Sequence, residues 1–182
     1  MRWAFVLALT AAYPLLILVG LGREVPPRQL ALLLLVLGLL RLWAGGRGPV
    51  RVRGLAAAAL ALAAGSALLD HRLPLKLYPV LVNATLLGVF GASLLRGPPL
   101  VERLARLTEP DLPPQGVAYT RRVTQVWCGF FVVNGSLALA TALWASERTW
   151  ALYNGGIAYV AMGALMGGEW LLRQRLRARV GA

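Results

Sequence analysis

The sequence predicts an all-α, polytopic membrane helix bundle of six transmembrane helices, with a short cytoplasmic interfacial helix between spans 4 and 5. Three observations predict it. Of the 182 residues, 58% are hydrophobic and only 14% are charged, where soluble domains carry roughly 45–50% and about 25%. The mean hydropathy is +0.66. The apolar residues come in blocks long enough to cross a bilayer, which takes about 20 residues. The basic residues, 19 against 7 acidic ones for a net charge of +12, fall in the gaps between these blocks. Such a composition excludes a disordered chain and leaves room for one membrane domain.

Span 1 is read at residues 3–21. It follows Met1 and Arg2 like a signal peptide, but its apolar run exceeds the roughly 7–15 residues of an h-region, so an uncleaved span is expected. Span 2 is placed at 26–43 and span 3 at 52–69; Arg28, Arg41 and Arg53 at their edges are long enough to snorkel to headgroups. Span 4 covers 77–95. Pro98 and Pro99 then lead into an interfacial helix at 99–108, with Leu100, Val101, Leu104 and Leu107 on one face and Glu102, Arg103 and Arg106 on the other. The Pro-rich stretch Glu109–Pro114 turns the chain toward Arg121 and Arg122. Spans 5 and 6 follow at 124–145 and 150–172.

Orientation follows from the gaps. One side collects Arg2, Arg41, Arg47, Arg51, Arg53, Arg96, Arg103, Arg106, Arg121, Arg122, Arg173, Arg175, Arg177 and Arg179; the other collects only Arg23, Arg28, Arg72, Lys76 and Arg148. The positive-inside rule puts the richer side, and with it both termini, in the cytoplasm. Trp3, Trp43, Trp127, Trp144, Trp150 and Trp170 fall near span ends, as an interfacial belt would. Arginines in this pattern have the anionic leaflet as their natural partner, and nucleic acid is not expected.

Few residues can carry chemistry. Asp70, His71, Lys76 and Tyr78 cluster between spans 3 and 4, with Asn83, Tyr153 and Asn154 a turn or two inside the spans. They either converge on an anionic headgroup or substrate, or form a wet loop beside asparagines that tie helices together. Asn134, near the middle of span 5, needs a partner in hydrocarbon and should face the bundle. Glu169, near the cytoplasmic end of span 6, has Arg173 at i+4: an interfacial ion pair or a proton relay. Arg103, Arg106, Arg121, Arg122 and Arg173 make a basic cytoplasmic docking face. Gly163 and Gly167 form a GxxxG, and Ala57, Ala61 and Gly65 a small-residue stripe, which let helices approach within the chain or in a homo-oligomer.

Several chemistries are not encoded. Cys128 is the only cysteine and His71 the only histidine; they lie near opposite faces, which rules out a dyad. Position 76 is Lys, so His71 does not open an HxxxxD acyltransferase pattern. No GxSxG, phosphate-binding glycine loop or metal-ligand spacing occurs, and no catalytic residue, metal or cofactor is assigned.

The segments Lys76-Leu-Tyr-Pro-Val-Leu-Val-Asn83, Pro99-Leu-Val-Glu-Arg103, Tyr119-Thr-Arg-Arg-Val-Thr-Gln-Val-Trp127 and Trp144-Ala-Ser-Glu-Arg-Thr-Trp150 resemble a family of small, uncharacterised bacterial inner-membrane proteins encoded among genes for aryl-polyene or fatty-acid-like lipids. A weaker likeness runs to the intracellular septation protein A family, through the proline-led basic helix, Phe130-Phe131 with Asn134, and the tryptophans around the span 5–6 turn. The resemblance covers a little over half the chain and implies envelope or lipid biogenesis, without catalytic residues. The function expected is a non-enzymatic inner-membrane component that binds membrane lipid or docks acyl-carrier and biosynthetic proteins. The alternatives are a small transporter or flippase of a lipid-linked product, and a membrane acyl or headgroup transferase.

Overall fold

Proline opens the main helices. It has no N–H to offer, and the first turn of a helix needs none. In the computed structural model, which describes residues 71–180 together with Ala61, Ala64, Gly65, Ser66 and Leu68, Pro74 sits in the first turn of α1 (Leu73–Lys76), Pro79 in that of α2 (Tyr78–Leu95) and Pro114 in that of α4 (Pro114–Trp144). The helical segment Leu73–Leu95 breaks briefly at Leu77, because Pro79 cannot donate back to the preceding turn. Of residues 176–180 only the backbone is described.

Helix α2 stops where Gly97 takes φ +89° and Pro98 and Pro99 follow. Glycine enters that left-handed region without a Cβ penalty, and the prolines cannot continue a helix. The buried Ser93 fixes the turn: its Oγ donates to the Phe90 carbonyl at 2.6 Å and accepts from the Leu100 N–H at 2.9 Å. Helix α3 (Leu100–Ala105) follows, then an irregular link to α4. Here Leu112 folds back so closely on Gly116 that a Cβ at position 116 would stand 2.9 Å from Leu112 Cγ.

Helix α5 (Glu147–Leu152) is capped by Ser146, whose Oγ accepts from the Thr149 N–H at 3.2 Å. It passes through a π turn, Tyr153–Ile157, into α6 (Ala158–Val180). Gly155 and Gly156 lie inside that turn. Segments Leu73–Leu95, Pro114–Trp144 and Glu147–Arg175 are each long and apolar enough to cross a membrane.

Among the described residues the chain is all helical, with no strand. Helices α2 and α4 form the central antiparallel pair: Asn83 meets Asn134, and Leu94 meets Arg121. Helix α4 turns inward a stripe of Thr120, Thr124, Phe131, Asn134, Ala138 and Ala142. Phe90 packs edge-on to Phe131, with ring centroids 5.1 Å apart, and Trp127 and Phe130 complete the aromatic group. At the other end, Leu77 covers a cluster of Ala142, Trp150 and Ala151. The opposite face of α4 leaves Val126, Val132, Val133, Leu137, Leu139 and Leu143 exposed, and α6 exposes Val160, Met166, Trp170, Leu171 and Leu172. Apolar surface on this scale is at home against hydrocarbon rather than water.

Several expectations shift against this fold. Helix α4 takes in the ten residues before Thr124, so the span and its basic leader are one rod. The interfacial helix is shorter than 99–108, its regular part being Leu100–Ala105. Trp150 is buried and hydrogen-bonded inside the protein, so it is a core residue and not part of an interfacial belt. Trp127 likewise packs in the aromatic group. The spans read at 3–21 and 26–43, most of 52–69, the basic residues up to Arg53, and Asp70 lie outside the described residues. Six spans therefore stand as an expectation beside three observed membrane-length segments.

Candidate functional site

Polar side chains within the apolar segments meet at one level of the bundle. Asn83 lies one turn beyond Pro79 on α2, and its Nδ2 donates to the Pro79 carbonyl at 2.8 Å. The side-chain amide thus finds a main-chain acceptor on its own helix, one turn back. Asn134 on α4 donates from Nδ2 to Asn83 Oδ1 at 3.1 Å. Tyr153, the first residue of the π turn, donates its hydroxyl to Asn134 Oδ1 at 2.9 Å. One chain of hydrogen bonds thus joins three membrane-length segments. Both asparagines are buried, and Gly135, next to Asn134, lets α4 come close enough: a Cβ there would stand 3.0 Å from Asn83 Cβ.

Asn154 faces a separate partner. Its Nδ2 donates to Thr141 Oγ1 at 3.2 Å and to the Trp150 carbonyl at 3.0 Å. Neighbouring residues of the π turn therefore bind two different levels of α4. An inserted π turn changes the helical phase, and such turns recur at functional positions.

At the end of the bundle that carries residues 71–78, backbone groups and an ion pair join the segments. Trp150 Nε1 donates to the Lys76 carbonyl at 3.2 Å, and Arg72 pairs with Glu147. His71 is exposed; its Nδ1 accepts from the Leu73 N–H at 3.1 Å, and its carbonyl accepts from Ser66 Oγ at 2.7 Å. Tyr78 is half-buried in the first turn of α2. His71 and Lys76 thus enter this end through local and main-chain contacts, whereas Asn83, Asn134 and Tyr153 are brought together.

The opposite end collects the arginines. Arg103 reaches back over the end of α2, donating from Nε to the Pro98 carbonyl at 2.8 Å and from a terminal nitrogen to the Arg96 carbonyl at 3.4 Å. Arg121 donates to the Leu94 carbonyl at 3.3 Å. The last carbonyls of a helix lack intrahelical partners and carry its negative pole, so guanidiniums settle there. The side chains of Arg96 and Arg122 are exposed and make no hydrogen bond or ion pair among the described residues. Glu102 was expected on the exposed polar face of the interfacial helix. It is instead 5% exposed, held by Arg106 through Nε at 2.9 Å and a terminal nitrogen at 2.8 Å, while Leu104 and Leu107 face outward. The i,i+4 ion pair is what allows that carboxylate to turn inward.

Glu169 belongs to this end too. Its carboxylate accepts from Arg173 at 3.0 Å, and the Tyr119 hydroxyl lies 3.3 Å from both its Oε1 and its main-chain carbonyl. Sequence reasoning missed Tyr119, Thr141, Ser93 and Gly135; the clearest available signal was Gly135 beside an intramembrane asparagine. Among the described residues, no three His, Cys, Asp or Glu side chains group as metal ligands would. In comparisons with known proteins, no family model, no curated protein and no solved structure matches this chain.

Proposed function

We propose that the chain is a non-enzymatic component of the bacterial inner membrane in envelope lipid or polyene biogenesis, binding lipid or docking acyl-carrier and biosynthetic proteins at its arginine-rich end. The observation that carries the reading is the segregation of charge along the bundle. Arg96, Arg103, Arg106, Arg121, Arg122 and Arg173 lie at one end, and Arg72, Lys76 and Arg148 at the other. By the positive-inside rule the first end, and both termini with it, faces the cytoplasm. Anionic headgroups and acidic carrier proteins are attracted to such a surface. The resemblance to the lipid-associated inner-membrane family points the same way.

The polar groups inside the bundle favour holding over transport. Asn83, Asn134, Tyr153 and Asn154 are engaged with partners inside the protein, as packing contacts are. Native mass spectrometry of the full chain, released gently from its own membrane, tests the reading. A reproducible adduct of lipid-like mass, or a bound acidic carrier, is expected. A bare protein would overturn it. Loss of product export in a Glu169→Gln variant that still assembles would favour a transporter instead.

A further inference from the structure

The guanidiniums of Arg103 and Arg121 rest on main-chain carbonyls only two residues apart, those of Arg96 and Leu94. Arg96 itself projects from the same turn and is exposed. Three cations therefore surround the last turn of α2. Two carboxylates at this end are engaged with other arginines, Glu102 with Arg106 and Glu169 with Arg173. Each guanidinium carries five N–H donors. Arg103 uses donors on two of its nitrogens and Arg121 on one, so most donors of these two exposed residues stay without a partner among the described residues.

The flanks of this turn are apolar. Leu95 is 85% exposed, and Leu104 of α3 and Leu107 just after it are exposed too. Leu95 ends a membrane-length segment, so the cluster lies where hydrocarbon meets headgroups. A ligand that suits both features has an anionic group at headgroup level and acyl chains just below it. Guanidiniums bind phosphate oxygens in pairs, with charge-assisted hydrogen bonds.

We propose that Arg96, Arg103 and Arg121 form a clasp for the phosphate of an anionic phospholipid, whose acyl chains lie along Leu95 and Leu104. The proposal rests on the reading of this end as the lipid- or carrier-binding surface, and it names the ligand. Arg96 is the member that grips lipid alone. Arg103 and Arg121 also hold the end of α2, so they are positioned before the lipid arrives.

The test is native mass spectrometry of the full chain from mixed micelles of phosphatidylglycerol and phosphatidylcholine. Wild-type protein is expected to retain phosphatidylglycerol in preference. Arg96→Gln, which breaks no contact within the protein, should cut that preference about fivefold, the contribution of one arginine at an anionic surface. Arg175→Gln, near the same end but off this turn, should leave it unchanged. Equal retention of the two lipids would overturn the clasp, as would an unaltered preference in Arg96→Gln or an equal loss in Arg175→Gln. Displacement of the lipid by millimolar inorganic phosphate would also overturn it, by showing a site for the free anion. A parallel pull-down with an acidic acyl-carrier protein separates the two readings. Carrier capture without lipid preference sinks the clasp and leaves the proposed function; failure of both sinks both.

Discussion

Gly135 on α4 stands directly against Asn83 on α2, so close that a Cβ at position 135 would lie 3.0 Å from the asparagine's own Cβ. The glycine sets the spacing at which Asn134, its neighbour, can donate to Asn83. Gly135→Ala forces one of the helices to give by a few tenths of an ångström, and Gly135→Val forces more. Val is expected to cost about 1–3 kcal/mol, as overpacking does. Denaturant titration of the detergent-solubilised protein reads this; equal stability of wild type and Gly135→Val would show that the interface yields freely.

Asn134 is the middle member of the hydrogen-bond chain, accepting from Tyr153 and donating to Asn83. Asn134→Ala leaves both neighbours with a polar group facing hydrocarbon. A double-mutant cycle of Asn83→Ala and Asn134→Ala should return a coupling of about 0.6–1.7 kcal/mol. Additive losses would mean that the two amides do not stabilise each other.

Trp150→Phe keeps most of the ring and removes the N–H that reaches the Lys76 carbonyl. About 1 kcal/mol of stability should be lost, the usual net worth of such a bond. Trp150→Ala also empties the pocket beside Leu77, Ala142 and Ala151, and should cost about 3–5 kcal/mol. Thermal unfolding in detergent distinguishes the two, and equal losses would assign the whole effect to the indole nitrogen.

Ser146 caps α5 in the short turn between two membrane-length segments. Ser146→Ala should cost about 1 kcal/mol, and Ser146→Asp should recover most of it. The pair of variants is checked in the same unfolding assay. Failure of Asp to rescue would show that capping is not what Ser146 contributes.

The Tyr119 hydroxyl ties α4 to the far half of α6 at Glu169. At 3.3 Å these bonds are long, so global stability should change little in Tyr119→Phe. Local opening should change more. Hydrogen exchange in detergent is expected to quicken around Glu169 and leave the α2–α4 interface unaffected; unchanged exchange there would remove the tie.

Much of this arrangement was legible in the sequence, and the rest was hidden for identifiable reasons. Asparagines in apolar runs announce that Asn83, Asn134 and Asn154 need partners, because hydrocarbon offers none. Which asparagine meets which depends on how α2 and α4 are rotated and slid, and composition does not encode that. Tyr153 was harder still. One residue advances a helix by about 100°, so a π turn at Tyr153–Ile157 upsets any face assignment based on regular spacing. Glu102 reads as solvent-facing beside two arginines, and only the i+4 position of Arg106 hints that it can be buried. The burial of Trp150 overrides a tryptophan's preference for the interface, because its N–H finds a carbonyl in the neighbouring segment.

The 31 residues of α4 have a further consequence. At about 1.5 Å per residue the helix is about 46 Å long, well beyond a hydrocarbon core of about 30 Å. Between Arg121, fastened to the end of α2, and the exposed Trp144, the rise is about 35 Å. A guanidinium and an indole both seek the headgroup layer, so they mark the two edges of a built-in calliper. In a thin bilayer the calliper must lean, and in a thicker one it stands upright, at a cost of fractions of a kcal/mol per ångström of mismatch. Because α2 is fastened to α4 at both Arg121 and Asn134, the pair must lean as one body. Membrane thickness thereby sets the angle at which the arginine-rich end meets the surface.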